Sequence, residues 1–267
     1  MKNFRKLVYG YYAKYARNSL PWRNTRDPYR IFVSEIMLQQ TQVARVLEKY
    51  SAFIRAFPSA HALARAPLGA VLKAWQGLGY NRRALALKKS AEKVVSEFKG
   101  KIPRERQALE ALPGIGEATS GALCAFAFNQ PVVFIETNIR SVFIHHFFKD
   151  ARNISDARLL PYLEKALDRK NPRQWYYALM DYGVYLKGHT VNPARKSLHY
   201  KKQSPFQGSN RQIRGKILKA LLAKKQLSAA GLARLLNTGV PRVNTMLKAL
   251  CKEGLIKEKG RFFSIYA

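Results

Sequence analysis

Leu112-Pro113-Gly114-Ile115-Gly116 separates two segments of helix-period apolar sequence. One Pro and two Gly within five residues mark a tight connector, and the stretch reads as a helix-hairpin-helix. Gly114 and Gly116 permit positive φ and leave no side chain over the turn. Successive backbone N–H groups then point outward at the start of the next helix, where the macrodipole favours an anion. A DNA phosphate is the natural guest. Glu136 lies downstream, and a carboxylate beyond a phosphate clamp points to chemistry on DNA as well as binding. The bland alternative is a glycine-rich helix connector with a surface Glu.

The charge of the chain points the same way. Its 267 residues hold 48 Lys and Arg against 16 Asp and Glu, a formal net charge of +32. The excess is spread along the whole chain, so it needs a polyanion, and nucleic acid fits best. An apolar fraction of 47% and this length fit one large domain or two ordinary ones, not a disordered basic tail. No apolar run reaches the length of a membrane span, so no membrane partner is expected. Met1-Lys2-Asn3-Phe4-Arg5 lacks the apolar core of a signal peptide. The two cysteines, Cys124 and Cys251, exclude a disulfide scaffold and any four-cysteine metal or iron–sulfur site. The expectation is a cytoplasmic, nucleoid-associated monomer without metal or cofactor.

Helical periodicity dominates the first part of the chain. A helix is predicted over 4–19, broken at Leu20-Pro21-Trp22-Arg23. A single long helical segment is predicted from Asp27-Pro28-Tyr29 to Tyr50. Further helices are predicted near 59–66, 68–75, 81–98, 105–112, 116–128, 136–148, 156–168 and 172–185. Period-two alternation is nearly absent, so residues 1–185 are read as an all-α domain. Residues 186–207 are basic and aperiodic, and are read as an irregular loop and linker. His189 and His199 lie there without a third ligand. From 208 to 267 the reading is a winged helix: a helix over 211–225, a short one capped by Ser228, and a third from Pro241 to Glu253. A hairpin turning at Lys259-Gly260 ends it. The third helix, with Arg242 and Lys248 among its polar residues, would be the one offered to a major groove.

Several stretches together resemble the helix-hairpin-helix DNA glycosylases, most closely the MutY adenine glycosylases. They are LPWRNTRDPYRIFVSEIMLQQTQV, AWQGLGYNRRA, LEALPGIGEATSGAL, FIETNIRSV and ALMDYG, in the family's order. The resemblance covers residues from about 20 to 185. It implies two helical lobes gripping DNA across a cleft, with the target base rotated out of the duplex. The expected fold is therefore an all-α two-lobed glycosylase core followed by a small α+β winged helix. The expected partner is double-stranded DNA holding a mismatch or lesion.

The resemblance also implies roles. Glu35 sits where the family keeps its catalytic acid, and its apolar helical neighbours give it reason to hold a proton near neutrality. Glu136 stands where the family has Asp, to stabilise positive charge on the sugar. Asn138 matches the residue that supports that carboxylate. Gln40 and Thr41 match residues that touch the base opposite the lesion. Leu78 and Tyr80 match a wedge entering the stack. Trp22 and Arg23 match the segment near the flipped adenine, and Gly114, Gly116 and Thr119 complete the DNA contacts. Ala118 replaces the Lys nucleophile of bifunctional relatives, which implies a monofunctional enzyme. The four cluster cysteines of most relatives are missing, so the 186–203 loop is expected to hold its shape by packing alone. A winged helix replaces the domain that reads 8-oxoguanine. The leading expectation is hydrolysis of the N-glycosidic bond of adenine mispaired with 8-oxoguanine or guanine. The alternatives are a glycosylase for thymine or uracil mismatches and a non-catalytic DNA-binding protein on the same scaffold.

Overall fold

The computed structural model describes residues 1–266. Its helices in chain order are α1 (Lys2–Tyr15), α2 (Pro28–Leu38), α3 (Val43–Ala56), α4 (Ala60–Arg65), α5 (Leu68–Ala74), α6 (Arg82–Phe98) and α7 (Arg106–Glu110). They continue as α8 (Glu117–Phe128), α9 (Thr137–Phe147), α10 (Asp156–Ala166), α11 (Pro172–His189), α12 (Asn210–Lys224), α13 (Ala229–Leu236) and α14 (Val240–Lys252). Strands β1 (Gln226–Ser228), β2 (Ile256–Lys259) and β3 (Phe262–Ile265) form an antiparallel sheet in the order β1-β3-β2. The helical core and the terminal winged helix are both present. Among the described residues no helix is long and apolar enough to cross a membrane.

The chain forms two compact units. The first consists of residues 1–35, 103–111 and 115–202, the second of 36–102, 112–114 and 203–267.

In the first unit α8 is the apolar centre, with every residue from Ser120 to Ala127 buried. Gly121 lets Phe134 lie against it, since a Cβ there would fall 2.4 Å from the Phe134 Cβ. α1 packs on α9 and α11 through Phe4, whose ring meets Phe143 and Trp175 edge-on. α11 and α9 approach closely at Gly183, where a Cβ would sit 2.5 Å from the Asn138 carbonyl oxygen. α11 also runs one turn past the predicted end at residue 185. Leu186 is buried, and Thr190 closes the turn through backbone and hydroxyl bonds to its carbonyl. The following basic loop is not held by packing alone. Backbone bonds from Ile154 N to Lys196 O (2.9 Å) and from Leu198 N to Ile154 O (3.0 Å) pin it beside α10.

In the second unit the helix predicted through Tyr50 is two helices. α2 ends at Leu38, and Gln40 takes a left-handed φ of 52° before α3 starts. Arg83 from α6 makes that break. Its guanidinium donates to the carbonyls of Ile36 and Met37, to Thr41 Oγ1 and to the carbonyls of Leu78 and Gly79. The last carbonyls of a helix need donors, and one arginine supplies them here. The winged helix rests on the same unit, with Ile265 and Leu222 beside Gly69 of α5. β1 was missing from the sequence reading because three residues between two helices show no measurable period. Ser228 caps α13 as expected, accepting the Gly231 N–H at 3.1 Å.

The contact at Gly183 leaves no room for a methyl group without shifting Asn138. Gly183→Ala is expected to cost about 1–3 kcal/mol of stability, read as a lower urea midpoint with an unchanged m value.

Candidate active site

Two carboxylates meet in the first unit. Glu35 lies near the end of α2, between the buried Ser34 and Ile36. The residue is half-buried, and desolvation of its carboxyl pushes its pKa up to about 8. Burial is the larger cause and the nearby charge of Glu136 adds to it, while Arg23 opposes both. This group can hold a proton at neutral pH and give it to a base.

Glu136 is arranged in the opposite way. It is the N-cap of α9, and its Oε1 accepts the N–H groups of Asn138 and Ile139, both at 2.7 Å. Its Oε2 accepts from Asn138 Nδ2 at 3.0 Å. All three contacts use the carboxylate as an acceptor at the positive end of a helix. The extra methylene of Glu relative to Asp is taken up by folding the side chain back over its own helix.

Behind this pair stands a residue that the sequence reading passed over. Lys187 Nζ donates to Asn138 Oδ1 at 2.8 Å, which fixes the amide so that its nitrogen faces Glu136. Burial pushes the Lys187 pKa down, partly offset by Glu136, with Arg140 adding to the lowering. Lys187 had looked like one more cation in a basic loop. Only the last turn of α11, which periodicity did not reveal, brings it here.

Arg23 is buried in a pair with Asp181 and is not displayed on the surface. Its guanidinium makes two bonds to Asp181, at 2.7 and 2.8 Å, and lies 4.4 Å from the Tyr177 ring centroid. Only 4% of its side chain is exposed. Asp181 also accepts from Arg17, through the backbone N–H and Nε. Burial alone would raise the Asp181 pKa, but the hydrogen bonds and charges of Arg23 and Arg17 hold it below its ordinary value. Trp22 is likewise buried.

The hairpin differs in one detail from expectation. Gly114 has φ +80°, and a Cβ there would come within 2.8 Å of Ala86 Cβ. Gly116 instead has an ordinary φ of −108° and is the N-cap of α8, with no side chain capping it. Its value lies in leaving the helix start uncovered, not in unusual backbone. Thr119 and the exposed Ala118 lie in the first turn of α8.

In the second unit Gln40 and Tyr80 are exposed, and Tyr80 also has a left-handed φ, of 47°. Leu78 is 2% exposed and packs in the core, so it is not displayed as a wedge. Thr41 is held by Arg83 at 2.8 Å. In the winged helix Lys248 is exposed, whereas Arg242 is tied to the Gly208 carbonyl at 2.6 Å and to Asn210 Oδ1. Among the described residues no three His, Cys, Asp or Glu side chains gather as a metal-binding group.

Residues 33–166 match the model of the HhH-GPD superfamily of base excision DNA repair proteins, and 210–257 match a winged helix-turn-helix DNA-binding family. An adenine DNA glycosylase of Buchnera aphidicola subsp. Baizongia pistaciae is 34% identical over 187 residues, covering 68% of this chain and 52% of the relative. An adenine DNA glycosylase of Mycobacterium tuberculosis is 33% identical over 239 residues, covering 78% and 75%. The solved structure of a thermostable thymine-DNA glycosylase superposes with a TM-score of 0.61 at 27% identity, covering 68% of this chain and 87% of that one. The chain belongs to the HhH-GPD superfamily of base excision DNA repair proteins. It spans about half the length of the Buchnera relative and three quarters of the mycobacterial one.

Burial of Glu35 has a consequence for stability. Its pKa is raised from 4.5 to about 8, so between those values the folded state binds more protons than the unfolded state. Stability is therefore fullest below about pH 4.5 and declines as pH rises towards 8. Glu35→Gln removes this term. The melting temperature of the variant should gain on the parent as pH rises from 5 to about 8, and a constant difference would contradict the burial argument.

Proposed function

We propose that this protein is a monofunctional DNA glycosylase that releases adenine mispaired with guanine or 8-oxoguanine. The observation that carries the reading is the unequal environment of two neighbouring carboxyls, one desolvated and one held as an acceptor at a helix start. Such a pair divides acid and charge-stabilising roles between chemically identical groups. Similarity to enzymes named adenine DNA glycosylases supports adenine as the leaving base.

In this mechanism Glu35 gives its proton to a ring nitrogen of the everted adenine. The C1′–N9 bond then breaks, its electron pair leaving with the base. Positive charge develops on the sugar, and the Glu136 carboxylate stabilises it. Water adds at C1′ and loses its proton to the ionised Glu35, which restores the acid. Asn138 and Lys187 act by orienting Glu136. Ala118 offers no amine for a Schiff base, which supports hydrolysis over strand cleavage. The chain supplies only Cys124 and Cys251 as thiols, and we read it as working without an iron–sulfur cluster. The net charge of +32 supports duplex DNA as the partner, with binding that weakens steeply in salt.

The test is single-turnover adenine release from A·G and A·8-oxoG duplexes, developed with alkali. Glu35→Gln and Glu136→Gln should each slow release by about 100-fold or more. The parent rate should fall as pH passes about 8, where Glu35 loses its proton. Full activity in both variants contradicts the assigned roles, and release of thymine from T·G duplexes without release of adenine contradicts the substrate.

A further inference from the structure

A ladder of aromatic rings crosses the surface of the first unit, and the chemistry above leaves it unused. Tyr11 and Tyr15 share one face of α1, and Tyr182, Tyr185 and His189 share one face of α11. Tyr15 and Tyr11 have ring centroids 5.0 Å apart. Tyr11 bridges to α11, at 5.3 Å from Tyr182 and 5.0 Å from Tyr185. His189 stacks on Tyr185 at 4.2 Å. The inner side of the ladder is fixed, since Tyr182 is buried and its hydroxyl lies 3.0 Å from His146 Nε2. The outer rings are displayed: Tyr15 is 62% exposed, Tyr185 is 38% exposed, and His189 is open at the far end. Packing of α1 on α11 accounts for Tyr182 and Tyr11 but not for the rings beyond them.

Charge identifies the kind of guest. No Asp or Glu precedes Asp27, and none lies between Asp181 and Glu253. Both strips of chain that carry the ladder are therefore free of carboxylates. The adjoining Asp181 is buried and bound by Arg17 and Arg23. Lys14 is exposed three residues after Tyr11, on the same side of α1. Open rings beside a cation, with no carboxylate near them in sequence, suit a polyanion that also carries flat apolar faces. A nucleic-acid strand has a phosphate for every base. In a duplex each base face is covered by its stacked neighbours, so these rings find a free face only on an unpaired strand. The ladder also stands apart from the carboxylates of the active site. Lys187 reaches Asn138 from the same turn of α11, but residues two apart on a helix point to nearly opposite sides. Tyr185 and His189 therefore face away from that bond.

We infer that the aromatic ladder of α1 and α11 is a binding site for a short stretch of unpaired DNA, distinct from the site of base release. Bases stack on Tyr15, Tyr185 and His189, and phosphates pass Lys14. The inference does not depend on which base the enzyme releases, or on whether it releases one.

The test uses the full chain and a fluorescein-labelled oligodeoxythymidylate, followed by anisotropy. The net positive charge alone gives some binding, so the substitutions leave charge unchanged. Tyr15→Ala and Tyr185→Ala should each weaken single-strand binding about five-fold or more, while affinity for an undamaged duplex stays within about two-fold. Tyr185→Phe keeps the ring and should keep the parent affinity. The unaltered protein supplies a second readout that no loss of fold can affect. Irradiation with a strand holding 5-iododeoxyuridine should link it to Tyr15, Tyr185 or His189, located by peptide mass. Single-strand affinity that survives both alanine substitutions, or crosslinks confined to other parts of the chain, overturns the site. Tighter binding of oligouridylate than of oligodeoxythymidylate overturns the choice of DNA.

Discussion

The close packing of α11 on α9 is the contact on which the first unit's chemistry depends. Gly183 brings the two helices so near that a single Cβ would strike the Asn138 carbonyl. One turn later on α11, Lys187 holds the Asn138 amide, and that amide holds Glu136. Just before Gly183, Asp181 binds Arg17 and Arg23, and the charge of Arg23 reaches Glu35. One helix therefore sets the surroundings of both carboxyls. Removing Asp181 would strand the buried charge of Arg23, so this pair fixes geometry more than it adds stability.

The two carboxyls differ only through position. Glu35 lies within protein beside apolar groups, and the cost of ionising there keeps its proton in place. Glu136 lies at a helix start, where backbone N–H groups and an amide receive it. The charge of Glu136 makes ionisation of Glu35 harder still. The Glu136 carboxylate folds back to cap α9 and spends its length within its own turn.

Much of this was legible in the sequence, for identifiable reasons. The helices of the core carry strong 3.6-residue periodicity, and the hairpin is marked by Pro and Gly. Glu35, Glu136 and Asn138 stood in segments whose order is specific. What escaped depended on long-range partners. Arg83 holds the end of α2 from α6, and no local pattern announces that break. Arg23 reads in sequence as a cation for DNA, and its partner Asp181 lies far along the chain. Leu78 looked like a wedge because its neighbours in sequence resemble one, yet its side chain is in the core. Lys187 was lost in a run of basic residues, where composition hides a single buried amine.

The central claim is that burial, reinforced by Glu136, keeps Glu35 protonated at neutral pH. Carbon-13 titration of the Glu35 side-chain carboxyl tests it most directly. The account predicts a midpoint near pH 8. In Glu136→Gln that midpoint should fall yet stay well above the ordinary carboxylate range, because burial is the larger cause. A midpoint near 4.5 that does not respond to Glu136→Gln would contradict the account.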